Sequence, residues 1–234
     1  MHKSLGQRLA TDDDGTVVTE AELLRAVDAA FETTGRDTPG WPDPHPDRQA
    51  LDEEYSRVTK PAKWRILGAR VDAWFAALTD LGLADIERGA TVRWQEDALI
   101  GSSIDRAVPR AADAIPLVIV RDSIDDVEGA GLRIAVGDPA KEVVAIPDCG
   151  CDACDSGSQN ELDHLDRHLT SVVTGRLRRL WRPQEDITAL GGDDGWSASW
   201  RAGPKPVPMG RRRDVPAILA DPRGWQEISG ASWL

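Results

Sequence analysis

Three cysteines, Cys149, Cys151 and Cys154, stand within six consecutive positions of the 234-residue chain, and they are its only cysteines. They lie in the string Pro147-Asp148-Cys149-Gly150-Cys151-Asp152-Ala153-Cys154-Asp155-Ser156-Gly157-Ser158. Sulfurs this close in sequence can converge on one ion, because thiolates suit Zn²⁺ and related borderline or soft metals. Two other chemistries fit the same residues: a reactive or redox thiol activated near a helix N-terminus, and inert thiols in a tight turn. The C-x-C-x-x-C spacing lacks the paired C-x-x-C motifs of a zinc ribbon, so the fourth ligand of a structural zinc site has to come from elsewhere.

The segment after the cluster offers His164 and His168. At 100° per residue, His168 falls about 90° from the centre of that segment's apolar stripe and His164 about 130° away. His168 is therefore the more shielded of the two, and helical side chains lean back toward the N-terminus, where the cluster sits. The preferred metal set is Cys149, Cys151, Cys154 and His168, with zinc as the cofactor. Asp148, Asp152 and Asp155 offer oxygen ligands, and His45 offers a nitrogen from a remote loop.

Other constellations carry less chemistry. Glu53-Glu54, Asp122 with Asp125-Asp126, and Asp193-Asp194 read as solvated acidic surface. Arg176, Arg178, Arg179 and Arg182 follow a helix end, where the dipole favours cations. There is no glycine-rich phosphate loop, no G-x-S-x-G elbow and no H-E-x-x-H helix. No catalytic residue is assigned.

The elements that would position the cluster follow from periodicity. Residues 1–18 read as a polar leader with a turn signal at Asp12-Asp13-Asp14-Gly15. Thr19 and Glu22 form a capping box ahead of an apolar stripe at Leu23, Leu24, Val27, Ala30 and Phe31, closed by Gly35. Four prolines make residues 36–49 a loop, with Trp41 as its anchor. A short helical segment around Leu51–Tyr55 precedes a long helix from Pro61 to Leu81. That helix carries Trp64, Leu67, Val71, Trp74, Phe75 and Leu78 on one face and stops at Gly82.

Strands are expected at Ala90–Gln95, Ile115–Arg121, Leu132–Val136 and Glu142–Ile146, with an edge strand at Arg106–Arg110 and a turn at Val136-Gly137-Asp138-Pro139. Ser158 and Glu161 supply a second capping box. The helix they open buries Leu162, Leu165, Leu169, Val172 and Val173 and ends at Gly175. Leu177–Trp181 and Trp196–Arg201 read as further strands, with a turn at Gly191–Gly195. A proline-rich passage (Pro204, Pro206, Pro208) and Arg211-Arg212-Arg213 then lead to a short helix at Val215–Ala220. The expected architecture is α+β in one domain over 19–234: a mainly antiparallel sheet with long helices packed on one face.

Composition narrows the function. The net charge is −12, so nucleic acid and anionic membranes are unfavourable partners. The part from Gly175 onward is mildly basic, with ten Lys/Arg against seven Asp/Glu, which suits packing against the acidic remainder. No run approaches the roughly 20 apolar residues of a membrane span, and Met1–Gln7 has no signal-peptide core, so a cytoplasmic location is expected. Thiols stay reduced there, which favours metal or redox chemistry over a disulfide. Nine Trp against two Phe and one Tyr make tryptophan the chief supplier of aromatic core volume.

Three stretches together carry a resemblance. They are Pro44-His45-Pro46-Asp47-Arg48 with Glu53–Val58, Trp64–Arg70 with Ala73-Trp74, and Gly137-Asp138-Pro139 with the cysteine string. They resemble an uncharacterised bacterial family, the domain of unknown function DUF6226, over roughly residues 41–200. The resemblance implies a single full-length domain and brings no established activity, so it carries over no catalytic residue. The functional expectation is thus a cytoplasmic protein with a structural zinc site and a protein or small-molecule partner. The alternatives are an enzyme using the cluster (a metal-assisted hydrolase or a thiol redox protein) and an acidic module that binds a basic partner.

Overall fold

The computed structural model describes residues 18–96, 98–192, 195–200 and 214–234. Residues 1–17 of the leader with its Asp12–Gly15 turn, Asp193-Asp194, the proline-rich passage and the arginine triplet lie outside the described residues. Helix α1 (Glu20–Thr34) starts at the expected box: the Thr19 N–H donates to Glu22 Oε2 at 2.8 Å, and the Glu22 N–H donates back to Thr19 Oγ1 at 3.3 Å. The proline-rich loop follows, then a 3₁₀ turn at Asp52–Ser56 and a second at Pro61–Trp64 that runs into helix α2 (Arg65–Asp80). All six stripe residues from Trp64 to Leu78 are buried. The helix ends as predicted. Gly82 takes a φ of +69°, and the Leu83 N–H reaches back to Leu78 O at 2.8 Å, a 6→1 closure.

Strands β1 (Ala84–Glu87), β2 (Ser103–Pro109), β3 (Leu117–Ile124), β4 (Val127–Gly137) and β5 (Ala140–Ile146) form an antiparallel sheet in sequential order. Alternation sorts the two faces of β3. Leu117 and Ile119 pack with the helices, while Val118 and Val120 face the other way. Asp125 and Asp126 sit at the β3–β4 turn with φ of 49° and 60°, a conformation that short Asp side chains tolerate and that matches the strand twist. Gly137-Asp138-Pro139 links β4 to β5, with a cis bond before Pro139.

Two strand expectations are corrected here. Ala90–Gln95 is not a strand, and its one ladder contact is an isolated bridge between Trp94 and Ala140. Its apolar residues Val92 and Trp94, with Leu99, instead cover the outer face of the sheet. The expected edge strand at Arg106–Arg110 is interior, paired with β1 on one side and β3 on the other.

Strand β5 hands the chain to the cysteine string, which leads into helix α3 (Ser158–Val173). Helices α1, α2 and α3 share one apolar core with the inner face of the sheet. Beyond α3 a second antiparallel sheet forms from β6 (Arg178–Arg182), β7 (Glu185–Ala189) and β8 (Trp196–Trp200). It is completed by helix α4 (Val215–Ala220) and β9 (Gln226–Ile228), with strand order β8-β7-β6-β9. The α+β class and the helices on one face are as expected. The strands divide into sheets of five and four, because the last four pair only among themselves. Trp64, Trp74 and Trp233 are among the largest fully buried side chains, in line with tryptophan as the aromatic filler.

Candidate metal centre

The cysteine loop is built by its neighbours. Asp152 and Asp155, three residues apart, are both buried, and each is held by a different partner segment. The Asp152 carboxylate accepts from Arg57 Nε at 2.6 Å, from the Thr59 N–H at 2.6 Å and from Thr59 Oγ1 at 2.6 Å. The Asp152 N–H donates in turn to Arg57 O at 2.8 Å. The Asp155 carboxylate accepts from Trp41 Nε1 at 2.8 Å, from the Gly157 N–H at 2.9 Å and from Lys63 Nζ. Lys63 also lies over the rings of Trp41 and Trp64, at 5.3 and 5.2 Å from their centroids.

Glu54 ties the remaining loop in. It accepts from Arg48 at 2.7 and 2.8 Å and from the Leu51 N–H at 2.7 Å, and it faces His45 Nε2 at 3.3 Å. These donors, led by Arg48 and then Leu51, hold its carboxyl well below the usual carboxylate range, despite burial.

Ser158 is not the cap it resembles. The N-cap position belongs to Gly157, and Ser158 is the first helical residue. Its hydroxyl accepts from the Trp41 N–H at 2.9 Å, and its own N–H donates to Trp41 O at 3.0 Å. Glu161, expected to close the box, instead accepts from Ser156 Oγ at 3.3 Å. Gly157 is required twice over. Its φ is +85°, and a Cβ there would come within 2.6 Å of the Asp43 nitrogen.

Held this way, the three sulfurs converge. Their Sγ atoms all lie within 4.8 Å of one another, and Cys149 and Cys151 approach to 3.2 Å. Cys151 is buried, whereas Cys149 and Cys154 are exposed. Burial by itself favours the neutral Cys151 thiol. Hydrogen bonds from Cys149 and Cys154, and from the backbone N–H groups of Cys154 and Ala153, outweigh it and lower its pKa. Cys154 is pushed up to about 12, chiefly by its hydrogen bonds to the Cys149 and Cys151 sulfurs, with burial and charge repulsion adding to this. The three sulfurs aim at one point, an arrangement that suits a cation held by thiolates.

The structure brings together Cys149, Cys151 and Cys154 but not the rest of the expected set. Among the described residues, no His, Asp or Glu joins them within the 4.8 Å group. His168 is buried as expected, with Nδ1 2.9 Å from the carbonyl of His164, and its ring stacks edge-on with that of His164 at 4.7 Å. His164 is half-buried. Its pKa is lowered, mainly by burial and by Arg167, against an opposing pull from Asp148. Asp152 and Asp155 are loop anchors rather than free oxygen donors, and His45 faces Glu54. Sequence reasoning missed Arg57, Thr59 and Lys63. No local pattern marks them, since each acts across more than 90 positions.

A family model for a family of unknown function, DUF6226, matches residues 27–233. The chain belongs to this family. The match extends beyond the 41–200 span of the resemblance and takes in both sheets, from within α1 to the buried Trp233. No curated protein and no solved structure matches the chain. Among the described residues, no helix is long and apolar enough to cross a membrane.

Proposed function

We propose that this protein is a metal-binding protein in which Cys149, Cys151 and Cys154 hold one zinc ion, and that the ion fastens the sheet to helix α3. The observation that carries the reading is the convergence of three sulfurs within 4.8 Å on a loop whose Asp152 and Asp155 are committed elsewhere. A thiolate set selects zinc or a similarly soft ion over magnesium or calcium. The ion lies between the end of β5 and the start of α3, so its task is to shape a surface for a partner, either a protein or a small molecule.

The test is metal analysis of purified protein with a count of reactive thiols. One zinc per chain and thiols that react only after chelation support the reading. A metal-free, fully folded protein with three freely titrating thiols overturns it.

A second reading rests on the 3.2 Å approach of Cys149 and Cys151, which places two sulfurs close enough for a redox pair. Mass analysis under mild oxidation decides this. A stable two-hydrogen loss confined to residues 149–151, in protein that binds no zinc, favours it.

A further inference from the structure

Several nearby donors that could close a tetrahedral zinc site are directed elsewhere. Asp152 is held by Arg57 and Thr59, and Asp155 by Lys63, Trp41 and Gly157. His45 faces Glu54, and His168 Nδ1 faces the His164 carbonyl of its own helix. None of these stands in the 4.8 Å group with the sulfurs. Two of the three cysteines, Cys149 and Cys154, are exposed, so the cluster lies at the surface. One of them, Cys154, lines a concavity of about 540 Å³ with Asp43, His45, Ala50, Tyr55 and Ser156. Three protein ligands with an accessible fourth position are the pattern of a site that takes a ligand from outside, whereas sites that only support a fold are closed by four.

We infer that the fourth position of the ion held by Cys149, Cys151 and Cys154 is filled from outside the chain, through the concavity beside Cys154, by a neutral nitrogen donor of the imidazole class. This rests on the metal reading above and adds the ligand to it. The preference for a neutral donor follows from charge. Three thiolates on a divalent ion leave one net negative charge, and the chain as a whole carries −12, so an incoming anion is repelled. The cations near the concavity do not reverse this, because Arg48 is already paired with Glu54 and Lys63 with Asp155. An imidazole supplies a borderline donor without added charge. It can arrive as a histidine side chain of a partner protein or as a small imidazole-bearing molecule.

The experiment uses the full chain loaded with Co²⁺, whose visible absorption reports its ligands. Thiolate-to-cobalt charge transfer must appear first, and its absence defeats the metal reading itself. With that band present, imidazole is titrated in, with acetate at equal concentration as the anionic control. The expected result is a saturable shift of the d–d bands with imidazole and none with acetate. An Ala50→Trp variant, which narrows the concavity without touching a cysteine, should keep the charge-transfer band and bind imidazole about tenfold more weakly. A histidine-containing hexapeptide that binds more tightly than free imidazole assigns the donor to a partner chain, and equal affinities assign it to a small molecule. A spectrum that ignores imidazole overturns the inference. If that spectrum also changes in a His168→Ala variant, the site is closed internally by His168.

Discussion

Replacing Asp155 by Asn isolates what holds the cysteine loop in place. The substitution preserves shape and keeps an oxygen that can accept from Trp41 Nε1, but it removes the charge facing Lys63. Removing one member of a buried pair costs about 3–5 kcal/mol where the remaining charge is fully enclosed. The side chain of Lys63 is 19% exposed and rests on two indole rings, so the loss falls lower, at about 2–3 kcal/mol. For a chain of this length each kcal/mol is worth about 2–4 °C, so the midpoint should fall by about 4–12 °C. Urea unfolding followed by tryptophan fluorescence, in chelator so that no ion contributes, gives the free energy directly. The decisive comparison adds Lys63→Met. If the pair is what matters, the double variant should be more stable than the sum of the single losses predicts, by about 1–2 kcal/mol. Additivity within about 0.5 kcal/mol would refute the reasoning and leave Asp155 as a hydrogen-bond acceptor only.

Three further outcomes are expected. Gly157→Ala forces a side chain into a positive-φ position and against the Asp43 backbone, so it should cost about 2–4 kcal/mol in urea unfolding; a loss below 1 kcal/mol would mean that the loop relaxes freely. Burial raises the Glu161 carboxyl above its ordinary range, outweighing the Ser156 hydrogen bond, so its folded form holds a proton more tightly than its unfolded form. That stabilisation is fully present below the unfolded pKa and is lost as pH rises through the folded one. Glu161→Gln should therefore melt higher than the parent at pH 7.5, with the gap closing toward pH 4, and an equal gap at both pH values would contradict the assignment. Saturating zinc at a thousand times its dissociation constant adds about 4 kcal/mol. Chelation should accordingly lower the midpoint by about 8–16 °C, and should do nothing in a Cys151→Ser variant.

Periodicity was legible wherever burial alone decided the structure. The stripe from Trp64 to Leu78 faces the core on one side, and the apolar run Leu117–Val120 is buried on both faces of its sheet; both formed as read. Reading failed where a segment is short or its partner distant. Strands β1, β7 and β9 are three to five residues long and charged, so they show no period of their own and exist because a neighbour supplies the ladder. Ala90–Gln95 alternates like a strand, but its apolar residues cover a sheet face already built. Ser158 and Glu161 carry a cap signature, yet Trp41, 117 positions away, takes the hydroxyl. The same limit applies to the site. The three cysteines announce themselves by spacing, whereas the residues that hold their loop are scattered across 41–63.

Those scattered residues decide the chemistry of the cluster as much as the sulfurs do. Asp152 and Asp155 occupy positions next to thiols, where carboxylates commonly add oxygen ligands and draw in hard cations. Here each is turned away and satisfied by several donors, so swinging one toward an ion would strand Arg57 or Lys63 along with backbone N–H groups. The loop therefore presents its sulfurs without Asp152 or Asp155, and presents them already ordered, so little conformational entropy remains to be lost on binding. The result is selection by subtraction. On the metal reading proposed above, calcium and magnesium would find no oxygen cage at Asp152 and Asp155, whereas a thiophilic ion such as zinc would find three sulfurs within 4.8 Å of one another. An ion held there would sit between the end of β5 and the start of α3, beside the concavity that Cys154 lines, so the proposed fastening role and the proposed ligand position would share one loop.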